Sequence, residues 1–192
     1  SNGVIYVISR GVEELGQRIS RVTWDHEFLG QFGANGSGDG QFVWPRSLAL
    51  DQAGNVYASD DYLHRISVFD SEGGFLSKWG EAGSGDGQLN GPSGIAFDSN
   101  DNLFVVDSQN GRIQEFTKEG KFLGKWGDQG TGDGQLNLPW GICLDKEDNV
   151  YVADWKNNRV QKFTPDGKLL GKFQGTDGGV GDLHGPTGVA VD

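Results

Sequence analysis

Short apolar runs of four to six residues recur along the whole chain, separated by clusters of Gly, Asp and Asn. Runs such as GIAFD (94–98), NLFVVD (102–107), RIQEF (112–116) and FLGKWG (122–127) are rich in β-branched and aromatic residues. Bounded by turn residues, they read as β-strands. No segment has the 3.6-residue periodicity of a helix. The links carry turn chemistry, Asp-Gln-Ala-Gly-Asn at 51–55 and Pro-Asp-Gly at 165–167. The four strands of such a unit are called a, b, c and d in chain order.

The unit repeats every 47 residues, with prolines at 45, 92, 139 and 186. They open PRSLALD, PSGIAFD, PWGICLD and PTGVAVD. NVYASD, NLFVVD and NVYVAD follow, then RISVF, RIQEF and RVQKF, then GGFLSKWG, GKFLGKWG and GKLLGKF. GSGDGQF, GSGDGQL and GTGDGQL close the first three units. The N-terminus is a further copy, in which VIYVIS (4–9) is strand b and an insertion of about four residues precedes Arg18. Radial repetition of four-stranded units with this period is the signature of a β-propeller.

The pattern resembles the NHL repeat. It is carried by Pro-x-Gly-Ile-Ala-Phe-Asp, Asn-x-Val-Tyr-Val-x-Asp, Asn-x-Arg-Ile/Val-Gln-x-Phe and Gly-x-Phe-Leu-x-Lys-Trp-Gly. The resemblance implies an all-β propeller of four-stranded antiparallel blades, spanning residues 1–192 as one domain. Joined across the termini, VAVD-SNGVIYV matches IAFDSNDNLFVV (95–106) in register. Residues 186–192 are therefore expected to complete the first blade and close a four-bladed ring. The blade units are then 186–192 with 1–44, 45–91, 92–138 and 139–185. The alternative is a fragment of a six-bladed ring, the usual size for the family.

Composition narrows the function classes. The net charge of −11 argues against nucleic acid and anionic membrane surfaces as partners. No apolar run is long enough to span a bilayer. One cysteine excludes an intrachain disulfide and a multi-cysteine zinc site. The chain has no methionine, so it is expected to be processed or excised from a longer one.

Comparing the units with one another separates building residues from binding ones. Arg65, Arg112 and Arg159 recur five residues after Asp60, Asp107 and Asp154, which suits a bond tying the b–c turn. In the first unit Ser9 replaces the Asp, and Glu13 or Glu14 is a candidate partner for Arg18. Phe32, Trp79, Trp126 and Phe173 share one offset and are expected to pack blade against blade. Cys143 aligns with Ala49, Ala96 and Ala190 and is expected to be a small buried residue. Asp39, Asp86 and Asp133 lack calcium-loop spacing and are expected to bond their own turns.

The differing positions gather on one face, because the d–a and b–c links emerge together and are the longer pair. They bring Trp44, Arg46, Tyr62, His64, Trp140, Trp155 and Lys156 to that face. Aromatic and Arg clusters anchor protein interfaces, so a protein or peptide partner is expected, with no cofactor. The alternative is a metal-dependent lyase or hydrolase using His64 and His184. Among family relatives, the peptidylglycine α-amidating lyases hold a central zinc and place His straight after the proline. Here those positions are Arg46, Ser93, Trp140 and Thr187, which argues against such a role. Other relatives bind RNA through a basic face, which the acidic charge opposes. Most serve as interaction scaffolds.

Overall fold

The computed structural model describes residues 3–11, 16–174 and 182–192. Among the described residues, all regular structure beyond two single-turn 3-10 segments is β. The first sheet is β1 (Val4–Ser9), β2 (Arg18–Thr23) and β3 (Phe28–Phe32), in that order. A small parallel pair follows, β4 (Ala34–Asn35) with β5 (Gln41–Phe42). Three four-stranded antiparallel sheets complete the fold. They are β6 (Pro45–Leu50) to β9 (Phe75–Trp79), through β7 (Val56–Asp60) and β8 (Arg65–Phe69); β10 (Pro92–Phe97), β11 (Asn102–Asp107), β12 (Arg112–Thr117) and β13 (Phe122–Trp126); and β14 (Pro139–Leu144), β15 (Val150–Asp154), β16 (Arg159–Phe163) and β17 (Leu169–Gln174). Each strand pairs with its sequence neighbour, as in propeller blades.

The cores lie between blades. One packs Tyr57, Ile66 and Val68 of the second blade against Ile95, Leu103, Val105 and Phe116 of the third. The next packs Phe104, Val106 and Ile113 against Ile142, Val150, Val152 and Phe163. The shared strand-d offset is the hinge of this packing at Phe32, Trp79 and Trp126, as expected, whereas Phe173 is 57% exposed. Phe32 meets Phe69 at 4.9 Å, Trp79 meets Phe116 at 5.0 Å and Trp126 meets Phe163 at 4.4 Å between ring centroids.

Polar groups are buried in register with the apolar ones. Asp107 and Asp154 are fully buried and pair with Arg112 at 2.7 Å and Arg159 at 2.8 Å. Each Arg also donates to three carbonyls of the preceding Gly-Asp-Gly-Gln loop, Ser84, Gly85 and Gln88 for Arg112. Gln114 and Gln161 complete the network, donating to the same Asp and to the loop carbonyls of Gln88 and Gln135. The second blade departs from this. Ser67 stands at the Gln offset, its Oγ is buried without a partner, and so is Arg65 Nε. There Asp60 instead accepts from the backbone of Val43, Trp44, Tyr62 and Leu63.

Two sequence expectations are corrected. Asp39 and Asp133 do not tie their own turns; they pair with Lys78 at 2.8 Å and Lys172 at 2.6 Å, and Asp86 pairs with Lys125 likewise. The turn is closed by the glutamine, whose Oε1 accepts from Gly38, Gly85 or Gly132. Asp sits at the exposed tip and so reaches the lysine of the following strand d. Secondly, residues 186–192 form no strand and do not join β1, whose sheet has three strands. They lie against β14: a Cβ added to Gly141 would stand 2.8 Å from the Thr187 carbonyl, just as one on Gly94 would stand 2.5 Å from that of Trp140. Glycine lets successive inner segments approach closely around the axis. Cys143 is half-buried beside Val191, and burial pushes its thiol pKa up. Glu13 and Glu14 lie outside the described residues.

The opposite face is held by Asx turns. Asp51, Asp98 and Asp145 accept from the backbone N–H of Asn55, Asn102 and Asn149 at 2.7–2.8 Å. Burial disfavours the charge on Asp145, but hydrogen bonds from Asn149 and Lys162 outweigh it and hold the carboxyl below the usual range.

Three stability measurements follow by chemical denaturation. Arg112→Ala strands Asp107 without its counter-charge and is expected to cost about 3–5 kcal/mol. Ser67→Gln restores the network of the other blades and is expected to gain about 1 kcal/mol. A depressed carboxyl pKa stabilises the fold above the unfolded pKa, near 4, and that contribution is lost as pH falls through the folded value. Asp145→Asn is therefore expected to be less stable than the natural protein at neutral pH, with the difference shrinking below about pH 4.

Candidate functional site

The buried aspartates that build the blades also aim the loops. Asp60, Asp107 and Asp154 hold the backbone N–H groups of Trp44, Asn90 and Asn137, just before each proline. The proline then pairs with that Asp, and the register slips over the next residues, between Pro45 and Leu48 and between Pro139 and Ile142. This bulge re-aims the side chain after the proline. Arg46 and Trp140 occupy it in the second and fourth blades, Ser93 in the third. Trp155 and Lys156 come from the 3-10 turn Trp155–Asn157, pinned by the Lys156 N–H on the Asn137 carbonyl at 3.1 Å.

These side chains form one continuous ladder of rings and cations. Arg10 lies over Trp44, 5.4 Å from the ring centroid. Arg46 lies 5.9 Å from Trp44 and 4.7 Å from Trp140. Trp140 stacks on Trp155 at 5.1 Å with planes 23° apart, and Lys156 caps Trp155 at 4.6 Å. Cations over indole faces are attracted by the ring quadrupole. Asp61 fixes the middle of the ladder, accepting from Arg46 Nε at 2.9 Å and Nη2 at 2.6 Å. An arginine so clamped presents its guanidinium plane instead of sweeping through solvent.

Arg46 is a shared wall of three concavities. One of about 360 Å³ faces the axis, with Arg10, Ser47, Trp140 and Thr187. One of about 340 Å³ lies over Asp61, Ser108 and Trp155. The broadest, about 790 Å³, takes in Trp44, Tyr62 and His64. Trp44 is 49% and Tyr62 68% exposed, unusually open for large aromatics.

All seven residues expected on this face are thus placed on it, with unequal roles. Trp44, Arg46, Trp140, Trp155 and Lys156 are in the ladder, and Tyr62 stands beside it. His64 lines the broad concavity but has a structural duty: at φ 52° its Nδ1 accepts the Gly91 N–H at 3.1 Å. Asn158, one blade-pair onward, does the same for Gly185 at 2.8 Å. His184 is exposed, and among the described residues no group of three His, Cys, Asp or Glu side chains is placed to hold a metal ion. Sequence reasoning passed over Asp61 and Arg10. The signal for Asp61 was an acid adjoining the repeated Asp60 where other units have Ser108 and Trp155. Arg10 follows strand b of the first unit, where the insertion obscures the repeat.

A stacked indole pair couples its transitions. The far-ultraviolet circular dichroism is expected to carry an exciton couplet that Trp140→Ala and Trp155→Ala each abolish, while Trp44→Ala leaves it in place.

The family model of the NHL repeat matches residues 89–116 and 136–163, one period apart. The human NHL repeat-containing protein 3 is 38% identical over 72 residues, 38% of this chain and 20% of that protein. Among solved structures, a catalytically inactive virginiamycin B lyase from Staphylococcus aureus with quinupristin superposes with a TM-score of 0.65 at 18% identity, covering 90% of this chain and 52% of that one. The WD40 repeats of RRP9 superpose with a TM-score of 0.66 at 13% identity, covering 88% and 47%. The chain thus spans about half the length of these solved propellers and a fifth of the curated relative. At these identities the superpositions establish the fold alone. The repeated sequence, the matches to the repeat model at 89–116 and 136–163 and the stacked four-stranded blades together make this chain a β-propeller that carries NHL repeats.

Proposed function

We propose that this propeller is a non-catalytic binding scaffold that presents its d–a and b–c loop face to a protein or peptide. The observation that carries this reading is the ladder from Arg10 to Lys156. It gathers three tryptophans and a clamped arginine from the first, second and fourth blade units onto one exposed surface. Packing between blades does not require them, because the third blade has Ser93 and Gly91 at the offsets of Arg46 and Trp44 and is no less well packed. Trp, Tyr and Arg dominate the energetics of protein interfaces. Their pre-assembled geometry lowers the ordering cost of binding. The acidic net charge disfavours nucleic acid as the partner.

The competing reading is a metal-dependent lyase or hydrolase at His64 and His184. It draws on the fold shared with virginiamycin B lyase. The engagement of His64 Nδ1 with Gly91 leaves that side chain one nitrogen for a metal. Elemental analysis of chelator-free protein separates the two readings: the scaffold reading expects metal well below one ion per chain, and a stoichiometric metal contradicts it.

Selection from a displayed peptide library tests the scaffold reading directly. Enriched peptides are expected to bind the natural protein at least about tenfold more tightly than Trp140→Ala or Trp155→Ala. Equal binding to natural protein and variants contradicts the assignment of this face.

A further inference from the structure

The ladder is a local excess of positive charge on a chain whose net charge is −11. Its three cations, Arg10, Arg46 and Lys156, are set against one carboxylate, that of Asp61, which is bound to Arg46. Among the described residues, neither Arg10 nor Lys156 has a carboxylate within ion-pair distance. The lysines of strand d are treated differently: Lys78, Lys125 and Lys172 each reach an aspartate.

Arg10 and Arg46 sit on the same indole, that of Trp44, 5.4 and 5.9 Å from its centroid. Two guanidiniums held on one ring repel each other, and an anion placed between them relieves the repulsion. Both also line the axial cavity of about 360 Å³, together with Ser47, Trp140 and Thr187. No Asp or Glu is among the residues that line it. Asp61 lines the two neighbouring concavities but not this one. It uses Nε and Nη2 of Arg46, and Nη1 has no hydrogen-bond partner among the described residues.

The size and the surroundings of the cavity decide which anion suits it. A cavity of this volume is at the small end of ligand pockets and holds a side chain with the backbone around it. The acidic remainder of the chain repels an extended polyanion, whose charges cannot all lie within a Debye length, about 10 Å, of the two arginines. A single carboxylate meets only the local excess. Guanidinium forks match carboxylate geometry. Trp44, 49% exposed, offers an apolar surface directly beside them.

We propose that the axial cavity receives the side-chain carboxylate of an aspartate or glutamate of the partner peptide, between Arg10 and Arg46, with a neighbouring apolar residue on Trp44. This rests on the scaffold reading of the same face and names the chemistry of the partner.

The test uses a displayed library of random short peptides selected on the natural protein at low salt. Asp and Glu are expected to be enriched about twofold or more over the unselected library. The best binder is then synthesised as it stands and with each acid replaced by its amide. For one acid the amide form is expected to bind about tenfold more weakly to the natural protein. Against Arg10→Gln the two forms are expected to bind alike, while Arg10→Lys keeps most of the difference. Peptides that need Trp140 but lack acidic enrichment, or whose amide forms lose as much against Arg10→Gln as against the natural protein, overturn this inference and leave the scaffold reading standing. A phosphoserine peptide that binds where its aspartate counterpart does not assigns the cavity to phosphate and overturns the carboxylate. A selection that enriches no peptide, or peptides indifferent to both Trp140→Ala and Trp155→Ala, overturns the scaffold reading and this inference with it.

Discussion

A ring pressed on a glycine sets the form of this protein. Phe32, Trp79 and Trp126 each rest where the next blade has no side chain, and a strand-c phenylalanine stands behind. Aromatic side chains are the largest apolar payload a short strand can carry. A single blade cannot bury that payload, so each blade is completed by its neighbour. The same logic acts at the axis, where Gly94 and Gly141 let inner strands meet closely. Serine hydroxyls then bond across blades there, Ser59 to the Ser93 carbonyl at 2.6 Å and Ser108 to that of Pro139 at 2.7 Å.

Within this stack a buried aspartate does two things at once. Asp107 and Asp154 neutralise an arginine that gathers the preceding loop, and they hold the backbone just before the proline of their own blade. A buried charge is tolerable only when its lone pairs are all used, and here they are shared among Arg, Gln, Asn and backbone donors. The loops of the d–a and b–c face are thereby fixed by groups that lie beneath it. Their side chains are free to differ from blade to blade, and Arg46, Ser93 and Trp140 do so at one offset. Rigid scaffold and variable surface are separated by a single residue along the chain, since the Asp-held backbone precedes the proline and the bulge follows it.

Much of this was legible in the sequence. Strands a to d, the antiparallel blades and the strand-d packing followed from the 47-residue period and its apolar runs. So did the gathering of Trp44, Arg46, Trp140 and Trp155 on one face, because strand alternation fixes which loops emerge together. The rest depended on distances that repetition does not encode. Asp39 and Asp133 look like turn residues by spacing, yet the lysine they meet is 39 positions away on the next strand d. Joining 186–192 to β1 was sound as a sequence register. In the structure that segment lies on β14, where Gly141 leaves room for Thr187 and Gly188 as Gly94 does for Trp140, and it forms no ladder with β1. The order within the ladder, with Arg46 between two indoles and clamped by Asp61, arises only when loops from three blades converge.

Hydrogen exchange across the backbone tests the central claim, that each blade is stabilised by the one that follows it. Protection is expected to be highest in β7, β8, β11 and β12, whose residues are almost wholly buried between neighbours. It is expected to fall in β17 and to be lowest in 186–192, although both repeat the sequence of well-protected segments. Strong and uniform protection of 186–192 together with β1 would instead signal a ring closed on itself and contradict this account.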